Sequence, residues 1–250
     1  MPVNTRTPRP RQTAGLSPLT DHILFMDGEA IILDKPAGLP VDPPRDGSLS
    51  LENHFASLTF GFERWPVAVH RLDRDTSGCL LLARNPKSAK RFTEAFEARQ
   101  VAKTYLTVLA GVPELEAGTI DMALTKTSTA ETGWRMGPGE AGKAGGKAAV
   151  SHWQLLASRD GRALIRFTPE TGRTHQLRAH ALHGLGIGIL GDPVYHGDAP
   201  DPLWRGGMLL HARSLSLPRA NKPPVAAVAP IPPGFAEAGF PDAEALDAAE

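Results

Sequence analysis

One segment constrains the fold of this chain more than any other: residues 70–78, with the sequence HRLDRDTSG. It places two carboxylates, two guanidiniums, an imidazole and two hydroxyls within nine residues. An apolar run precedes it at residues 67–69 and another follows at residues 79–83. Such runs are typical of buried strands, so these charges lie where a buried sheet opens into a loop. Loops held by a rigid sheet often carry catalytic and binding residues, and an aspartate among cations is kept ionised.

The length and composition are those of a globular protein with a sizeable core. The chain has 250 residues, of which 41% are hydrophobic and 22% are charged. Its one cysteine, Cys79, excludes an intrachain disulfide and a cysteine-based zinc site. That cysteine usage fits a reducing compartment. We find no apolar run long enough for a transmembrane helix and no apolar core of a secretory signal near the N-terminus. We therefore predict a cytoplasmic protein without membrane contact.

The formal net charge is zero, but the charges are unevenly distributed. Between Lys126 and Arg178 there are nine Lys or Arg and four Asp or Glu, whereas residues 234–250 carry five acids and no base. A neutral total can therefore hide a basic face and an acidic tail. We predict a flexible basic arm at residues 1–20, one central domain at 21–233 and an acidic tail at 234–250.

Apolar periodicity predicts strands interspersed with helices. The predicted strands cover residues 29–34, 66–70, 79–84, 101–110, 149–157, 162–167 and 208–217. The predicted helices cover residues 50–58, 85–99 and 174–183. Residues 126–147 are rich in Gly, Lys and Thr, and we expect a long hairpin or a mobile loop there. Since the elements lack a regular βαβ alternation, the order favours a mixed α+β fold over a doubly wound sheet.

Asp73 and Asp75 allow two interpretations. In an extended segment, acids at i and i+2 point the same way and lie roughly 7 Å apart. That spacing would suit an inverting glycosidase. The alternative is a solvated loop in which acids and arginines cancel.

A second charged segment, residues 171–180 (TGRTHQLRAH), is also ambiguous. We predict that Thr174 caps a helix and that Arg178 projects from the same side one turn later. Such an arginine could hold a carboxylate or a phosphate in bidentate fashion, although an ordinary amphipathic surface helix has the same pattern. Around a helix His175 and His180 lie about 140° apart, and an H-E-x-x-H pattern is missing. We therefore expect no metal site.

Tyr105 is one of only two tyrosines in the chain. In the predicted strand its side chain shares a face with Lys103. A tyrosine there could stack on a nucleobase or could be a half-buried residue of the sheet. The sequence lacks a glycine-rich phosphate loop, so a nucleotide cofactor is not indicated.

Six motifs follow one another in the order in which they occur in the RluA family of pseudouridine synthases. The chain resembles this family from about Asp21 to Leu217. The motifs are DKPAGL at 34–39, HRLD at 70–73 with TSG at 76–78, KTY at 103–105, GRTHQLR at 172–178, GDPVY at 191–195 and LLHA at 209–212.

The resemblance implies a function and a set of site residues. The family converts a uridine in folded RNA to pseudouridine and needs neither cofactor nor metal. Asp73 resembles the catalytic aspartate, Tyr105 the tyrosine that packs on the target base, and Arg178 the arginine that pairs with the aspartate. Arg71 resembles the residue that enters the RNA stack where the flipped base was. We also predict RNA contacts at Lys35, Lys103, Arg173, His175 and Leu177.

The resemblance also implies the architecture and the chemistry. We expect an α+β fold with a mixed, largely antiparallel central sheet, flanking helices and an RNA-binding cleft, and a protein that acts as a monomer. The uracil must leave C1′ through its N1, rotate, and rejoin through C5. Asp73 could attack the sugar, attack the base, or remove a proton from C2′. The sequence leaves these three routes open.

The chain departs from the family pattern in places that bear on the choice of RNA. About twenty residues precede Asp21, which are too few for the S4-like RNA-binding domain of many members. Asp42 stands where the family often has His, and residues 215–218 replace a usual Phe and His-Pro. We expect 23S rRNA or tRNA stem-loops as targets. Two rival functions are a catalytically silent RNA-binding domain and a glycoside hydrolase that uses Asp73 and Asp75.

Overall fold

The structure is a computed structural model, and it describes residues 17–44, 46–129, 133–143, 145–196 and 204–249. The strands are β1 Ile23–Met26, β2 Ala30–Lys35, β3 Val67–Ala68, β4 Ser77–Ala83, β5 Ala102–Leu109, β6 Ala117–Asp121, β7 Leu124–Thr129, β8 Gly133–Pro138, β9 Val150–Arg159, β10 Arg162–Pro169, β11 Leu210–Leu217 and β12 Val225–Val228. The α-helices are α1 Pro86–Glu97, α2 Gln176–Leu185, α3 Pro233–Glu237 and α4 Ala243–Ala248, and two 3-10 helices cover Leu19–His22 and Leu51–Leu58. Within the described ranges, every helix is too short or too polar to span a bilayer.

Ten strands of the described chain form one sheet. Its order is β1-β2-β4-β11-β5-β10-β9-β6, with β3 pairing with β4 and β12 pairing with β11. The β4–β11 pair is parallel, and the other pairs in this sheet are antiparallel. Strands β7 and β8 form a separate hairpin. The predicted mixed, largely antiparallel α+β fold is therefore confirmed.

The two halves of the sheet meet where β4 lies beside β11. Ser77 pairs with His211 and Gly78 pairs with Ala212. Gly78 has a φ of +102°, and a Cβ at this position would lie 2.3 Å from the carbonyl oxygen of Ala212. Only glycine fits this backbone conformation and this approach. The contact places the charged loop of residues 70–76 at the centre of the sheet.

The core covers both faces of the sheet at β2 and β4. On one face Cys79, Leu81 and Ala83 pack with Phe92 of α1. On the other face Leu80 and Leu82 pack with the 3-10 helix Leu51–Leu58. Continuous apolar runs are expected where both faces of a strand are covered. The packing therefore explains the two runs that flank the charged loop.

The acidic C-terminal segment packs on the sheet through α3 and α4. Phe235 is buried, while Asp242 forms a bidentate pair with Arg159 and Asp247 pairs with Arg166. Because these acids neutralise two of the nine cations between residues 126 and 178, the basic face predicted for that stretch is smaller than its composition suggests.

Several predicted boundaries need correction. Residues 1–16 of the predicted basic arm lie outside the described residues, and Leu19 is buried in the core. The segment predicted as a helix at 50–58 is the 3-10 helix, and the strand predicted at 66–70 shortens to Val67–Ala68. The helix predicted to start at Thr174 starts at Gln176. Where residues 126–147 are described, they contain the β7–β8 hairpin, which confirms one of the two expectations for that stretch.

Candidate active site

A cleft of about 840 Å³ opens on the sheet beside the charged loop. Arg71, Trp134 and His175 stand on its walls. A recess of about 110 Å³ shares several of these lining residues. Seven of the nine residues predicted for the site line this recess: Arg71, Asp73, Tyr105, Arg173, His175, Leu177 and Arg178. The structure therefore gathers the three predicted catalytic residues, from three distant parts of the chain, in one place.

Asp73 sits in a tight turn. The backbone N–H of Thr76 donates to the carbonyl of Asp73 at 3.1 Å, and the neighbouring Leu72 is buried in the core. The Asp73 side chain is 25% exposed. Because residues 73–76 form a turn, Asp73 and Asp75 do not lie in the extended segment in which they were expected to point the same way. Asp75 instead lies 3.9 Å from the Arg74 guanidinium.

Arg178 is buried between two carboxylates. Its Nε and one terminal nitrogen donate to Asp192 at 2.7 and 2.8 Å, and its other terminal nitrogen donates to Asp73 at 3.3 Å. Burial opposes the charge of the guanidinium, but the hydrogen bonds and charge of Asp192 and the charge of Asp73 outweigh it and raise the pKa of Arg178. The bidentate pair with Asp192 fixes the plane of the guanidinium and aims it at Asp73.

Asp192 is the site residue that our sequence analysis missed. Its carboxylate also accepts hydrogen bonds from the backbone N–H groups of Val194 and Tyr195 at 2.8 and 2.9 Å. Burial raises the pKa of Asp192, but the hydrogen bonds and charge of Arg178 outweigh it, so the pKa is lowered. The GDPVY motif at 191–195 contains Asp192 and could have indicated it. The sequence does not show that this aspartate pairs with Arg178.

Tyr105 lies on β5 and is partly buried between two core clusters. Burial and the negative charge of Asp73 raise the pKa of the Tyr105 phenol, which therefore stays protonated at neutral pH. Lys103 lies on the same strand, and its ammonium is 5.5 Å from the centroid of the Phe96 ring at the wall of the cleft. Burial lowers the pKa of Lys103.

His175 precedes α2 in the left-handed region, with φ of 51° and ψ of 23°. Its Nε2 lies 4.0 Å from an Asp73 oxygen, and its Nδ1 is 3.1 Å from the hydroxyl of Tyr195. Burial is the largest influence on its pKa, which is lowered. The ring also stacks on Trp134. Within the described residues, no group of three His, Cys, Asp or Glu could hold a metal ion.

The loop before α2 is held by Gln176 rather than by Thr174. The Gln176 side-chain oxygen accepts from the backbone N–H of Arg173 at 2.9 Å and from the Thr171 hydroxyl at 2.7 Å. The predicted Thr174 cap is therefore wrong, because His175 occupies the cap position. Arg173 stands at the rim of the cleft and donates to the carbonyl of Ala148 at 3.0 Å.

The prediction that Lys35 contacts RNA is wrong. Its side chain is fully buried, and its ammonium donates to the backbone carbonyls of Pro36, Leu39 and Arg74 at 2.7, 2.8 and 3.0 Å. Burial lowers the pKa of Lys35 to about 8, against the opposing charges of Asp75 and Asp73. The lysine therefore ties the loop after β2 to the turn that carries Asp73.

Arg71 is at the mouth of the cleft. Its side chain is 79% exposed and forms an ion pair with Asp42 at 3.0 Å. An exposed pair of this kind contributes only about 0.2–1 kcal/mol, so it leaves Arg71 free to move when a ligand enters.

The fold and the recess define a class of enzyme. A carboxylate bonded to a buried guanidinium, with a phenol ring beside it, is suited to stabilising positive charge on a sugar. Comparison with known proteins gives the family. Residues 29–183 match the model of the RNA pseudouridylate synthases, and the chain belongs to this family of enzymes, which isomerise uridine to pseudouridine in RNA.

Individual relatives agree with this assignment. An uncharacterised RNA pseudouridine synthase of Zymomonas mobilis is 55% identical over 222 residues, which cover 89% of this chain and 99% of that protein. Ribosomal large subunit pseudouridine synthase C of Rickettsia conorii is 35% identical over 201 residues, which cover 79% of this chain and 63% of that protein. The solved structure of human RNA pseudouridylate synthase domain containing 4 has a TM-score of 0.72 at 29% identity, covering 87% of this chain and 91% of that chain. The reaction and family that the motifs predicted are confirmed.

Proposed function

We propose that Asp73 is the catalytic carboxylate, that Tyr105 packs on the target base and that Arg178 orients the Asp73 side chain. The observation that carries this proposal is the buried Arg178, bonded on one side to Asp192 and on the other to Asp73 at 3.3 Å. A buried guanidinium needs a charged partner. The bidentate partner is Asp192, and this pairing leaves the more exposed Asp73 carboxylate available to a substrate.

The chemistry requires these residue types. The bond between N1 of the uracil and C1′ breaks, a bond between C5 and C1′ forms, the proton on C5 is lost and N1 gains a proton. Departure of the base builds positive charge on the sugar, which the Asp73 carboxylate stabilises. The ring of Tyr105 and the side chain of Leu177 would keep the detached uracil in the recess and exclude water. Attack on the sugar, attack on the base and removal of the C2′ proton are all compatible with this arrangement.

We further propose structured RNA, 23S rRNA or tRNA stem-loops, as the substrate. The target uridine must be flipped out of its stack, which costs a few kcal/mol and is easiest in a loop. Cations at the walls of the cleft would bind the phosphates: these are Arg71, Lys103 and Arg173. Arg71 at the mouth of the cleft would fill the space left by the flipped base. The target can be identified by mapping pseudouridines in rRNA and tRNA from cells that contain the gene and from cells that lack it. Identical maps for both RNAs would contradict this choice.

Paired variants test the role of Asp73. RNA labelled with tritium at C5 of uridine releases tritium when C5 forms its new bond. We expect Asp73→Asn to abolish this release and to keep RNA binding, while Asp75→Asn stays near the wild-type rate. Release that survives Asp73→Asn would refute Asp73 as the catalytic carboxylate. Loss of release with Asp75→Asn alone would instead support the paired-carboxylate alternative.

The monomeric state and the cytoplasmic location stay predictions. Light scattering on the purified chain measures the mass directly. A mass twice that of the chain would contradict the monomer.

A further inference from the structure

Trp134 is a large apolar side chain that the core does not use. It lies on β8, opposite Ser128 of β7, and its side chain is exposed, at 46%. The indole lines the wall of the cleft that also contains Asp73 and Tyr105. Ligand-binding clefts are lined mainly by hydrophobic and aromatic side chains, so an exposed indole in the wall of a cleft indicates a binding surface.

The indole is fixed in place from behind. Its ring stacks on the His175 ring with centroids 4.9 Å apart and an interplanar angle of 23°. His175 is in turn bonded to the Tyr195 hydroxyl, which also accepts from the backbone N–H of Met136 in the same hairpin at 2.7 Å. Because Tyr195 ties the hairpin to the loop before α2, the indole keeps a set position relative to the recess.

A lysine ammonium lies close to the indole. Lys126 pairs with Met136, and this pair is separated by one residue pair from Ser128–Trp134. The side chains of Lys126 and Trp134 therefore lie on the same face of the hairpin. The Lys126 ammonium is 5.0 Å from the centroid of the Trp134 ring. Since His175 stacks on the indole and the ammonium lies over its ring, a base that stacks on the indole takes the place of the flexible lysine side chain. The displaced ammonium is then close enough to bind the phosphate of that nucleotide.

We propose that Trp134 and Lys126 form a second nucleotide subsite, which stacks a base adjacent to the flipped uridine and binds its phosphate. This inference rests on the proposed function, since it places the flipped uridine in the recess beside Asp73. Stacking tolerates any base, so the subsite adds affinity for an unpaired strand rather than a sequence preference. It also gives the β7–β8 hairpin a role in binding.

Tryptophan fluorescence tests the stacking directly. The full chain is titrated with an oligouridylate of about ten nucleotides, a length that spans a single-strand binding site. We expect quenching in the wild type, loss of most of this quenching in Trp134→Phe, and wild-type quenching in the matched control Trp65→Phe. Trp65 is similarly exposed, at 42%, and lies outside the lining of the cleft. Quenching that is absent in the wild type or unchanged in Trp134→Phe would overturn the proposal.

Turnover of the tritium-labelled RNA separates binding from a structural role of the indole. Loss of one stacked base costs about 1–3 kcal/mol, so we expect Trp134→Ala to raise KM by about 5- to 150-fold. Trp134→Phe should recover most of this loss, and Trp65→Ala should match the wild type. A fall in kcat with an unchanged KM would mean that Trp134 acts only through His175, which refutes the subsite.

The salt dependence of binding tests Lys126. Removing one phosphate contact lowers the slope of log K against log salt by about 0.7 for a single strand. We expect this change for Lys126→Gln and none for the control Lys87→Gln, since Lys87 is also exposed but lies on α1 rather than on the β7–β8 hairpin. An unchanged slope for Lys126→Gln removes it from the subsite. Fluorescence reads binding without turnover. Normal quenching in the wild type, together with tritium release that survives Asp73→Asn, would therefore refute the proposed role of Asp73 and leave the subsite standing.

Discussion

The buried pair of Arg178 and Asp192 gives the sharpest test of how the site is held. In Asp192→Asn, one side-chain oxygen is replaced by an NH₂ group that has only donors. That group would face a nitrogen of the Arg178 guanidinium, which is also a donor. The variant therefore loses one of the two hydrogen bonds at 2.7 and 2.8 Å and leaves the guanidinium without its bidentate partner.

The expected cost follows from the burial of both side chains, which are 5% and 0% exposed. Removing one partner of a buried ion pair costs about 3–5 kcal/mol. The Asp73 carboxylate at 3.3 Å then becomes the remaining counter-ion of Arg178. We expect the guanidinium to move towards Asp73, and a shift of about 1 Å at a reacting group lowers the rate by roughly 100-fold.

We would measure the free energy of unfolding and the rate of tritium release for three variants. The variants are Asp192→Asn, Arg178→Met and the double variant. Urea unfolding followed by circular dichroism should show each single variant destabilised by about 3–5 kcal/mol and the double variant destabilised by less than the sum. Tritium release under single-turnover conditions should fall in all three. The double variant removes both charges, so it no longer contains a buried guanidinium without its bidentate partner.

The coupling between the two changes decides the matter. If the destabilisation of the double variant equals the sum of the two single-variant values within about 0.5 kcal/mol, then Arg178 and Asp192 do not stabilise the fold as a buried ion pair. Near-wild-type tritium release in Asp192→Asn would separately show that the orientation of Arg178 does not matter for turnover.

Three further predictions concern the same region. Tyr105→Phe should retain more tritium release than Tyr105→Ala, because the ring carries the contact with the base; equal losses would contradict this. Burial lowers the pKa of His70 from 6.5 to about 3, and its Nε2 accepts the Leu81 N–H, so between these pH values the unfolded chain binds a proton that the folded chain does not. The free energy of unfolding of the wild type, measured by urea unfolding between about pH 7 and pH 4, should therefore fall with falling pH by up to about 1.4 kcal/mol per pH unit relative to His70→Gln. The same pH dependence in both proteins would refute this. Gly78→Ala should lower Tm by at least about 4 °C, from about 2 kcal/mol of backbone strain and steric overlap with Ala212; an unchanged Tm in thermal melting would contradict the close approach.

Local features of the sequence predicted much of the fold. The helix predicted at 85–99 is α1, and the Asn85 side chain accepts the backbone N–H of Ser88 at its start. The apolar runs on either side of the charged loop predicted a buried sheet, and β4 is apolar on both faces. These features could be predicted because a cap and a hydrophobic period depend on residues near one another in the chain.

The reaction class could also be predicted from the sequence alone. Only the tertiary structure shows which residues hold the catalytic side chains in place. The motifs pointed to Asp73, Tyr105 and Arg178, but Asp192, the stack of Trp134 on His175 and the enclosure of Lys35 had to be seen in three dimensions. The pairing of a charge with its partner depends on which distant segments meet. Here the parallel contact of β4 with β11 and the long-range hydrogen bonds of Tyr195 bring those segments together, and neither periodicity nor composition encodes that meeting.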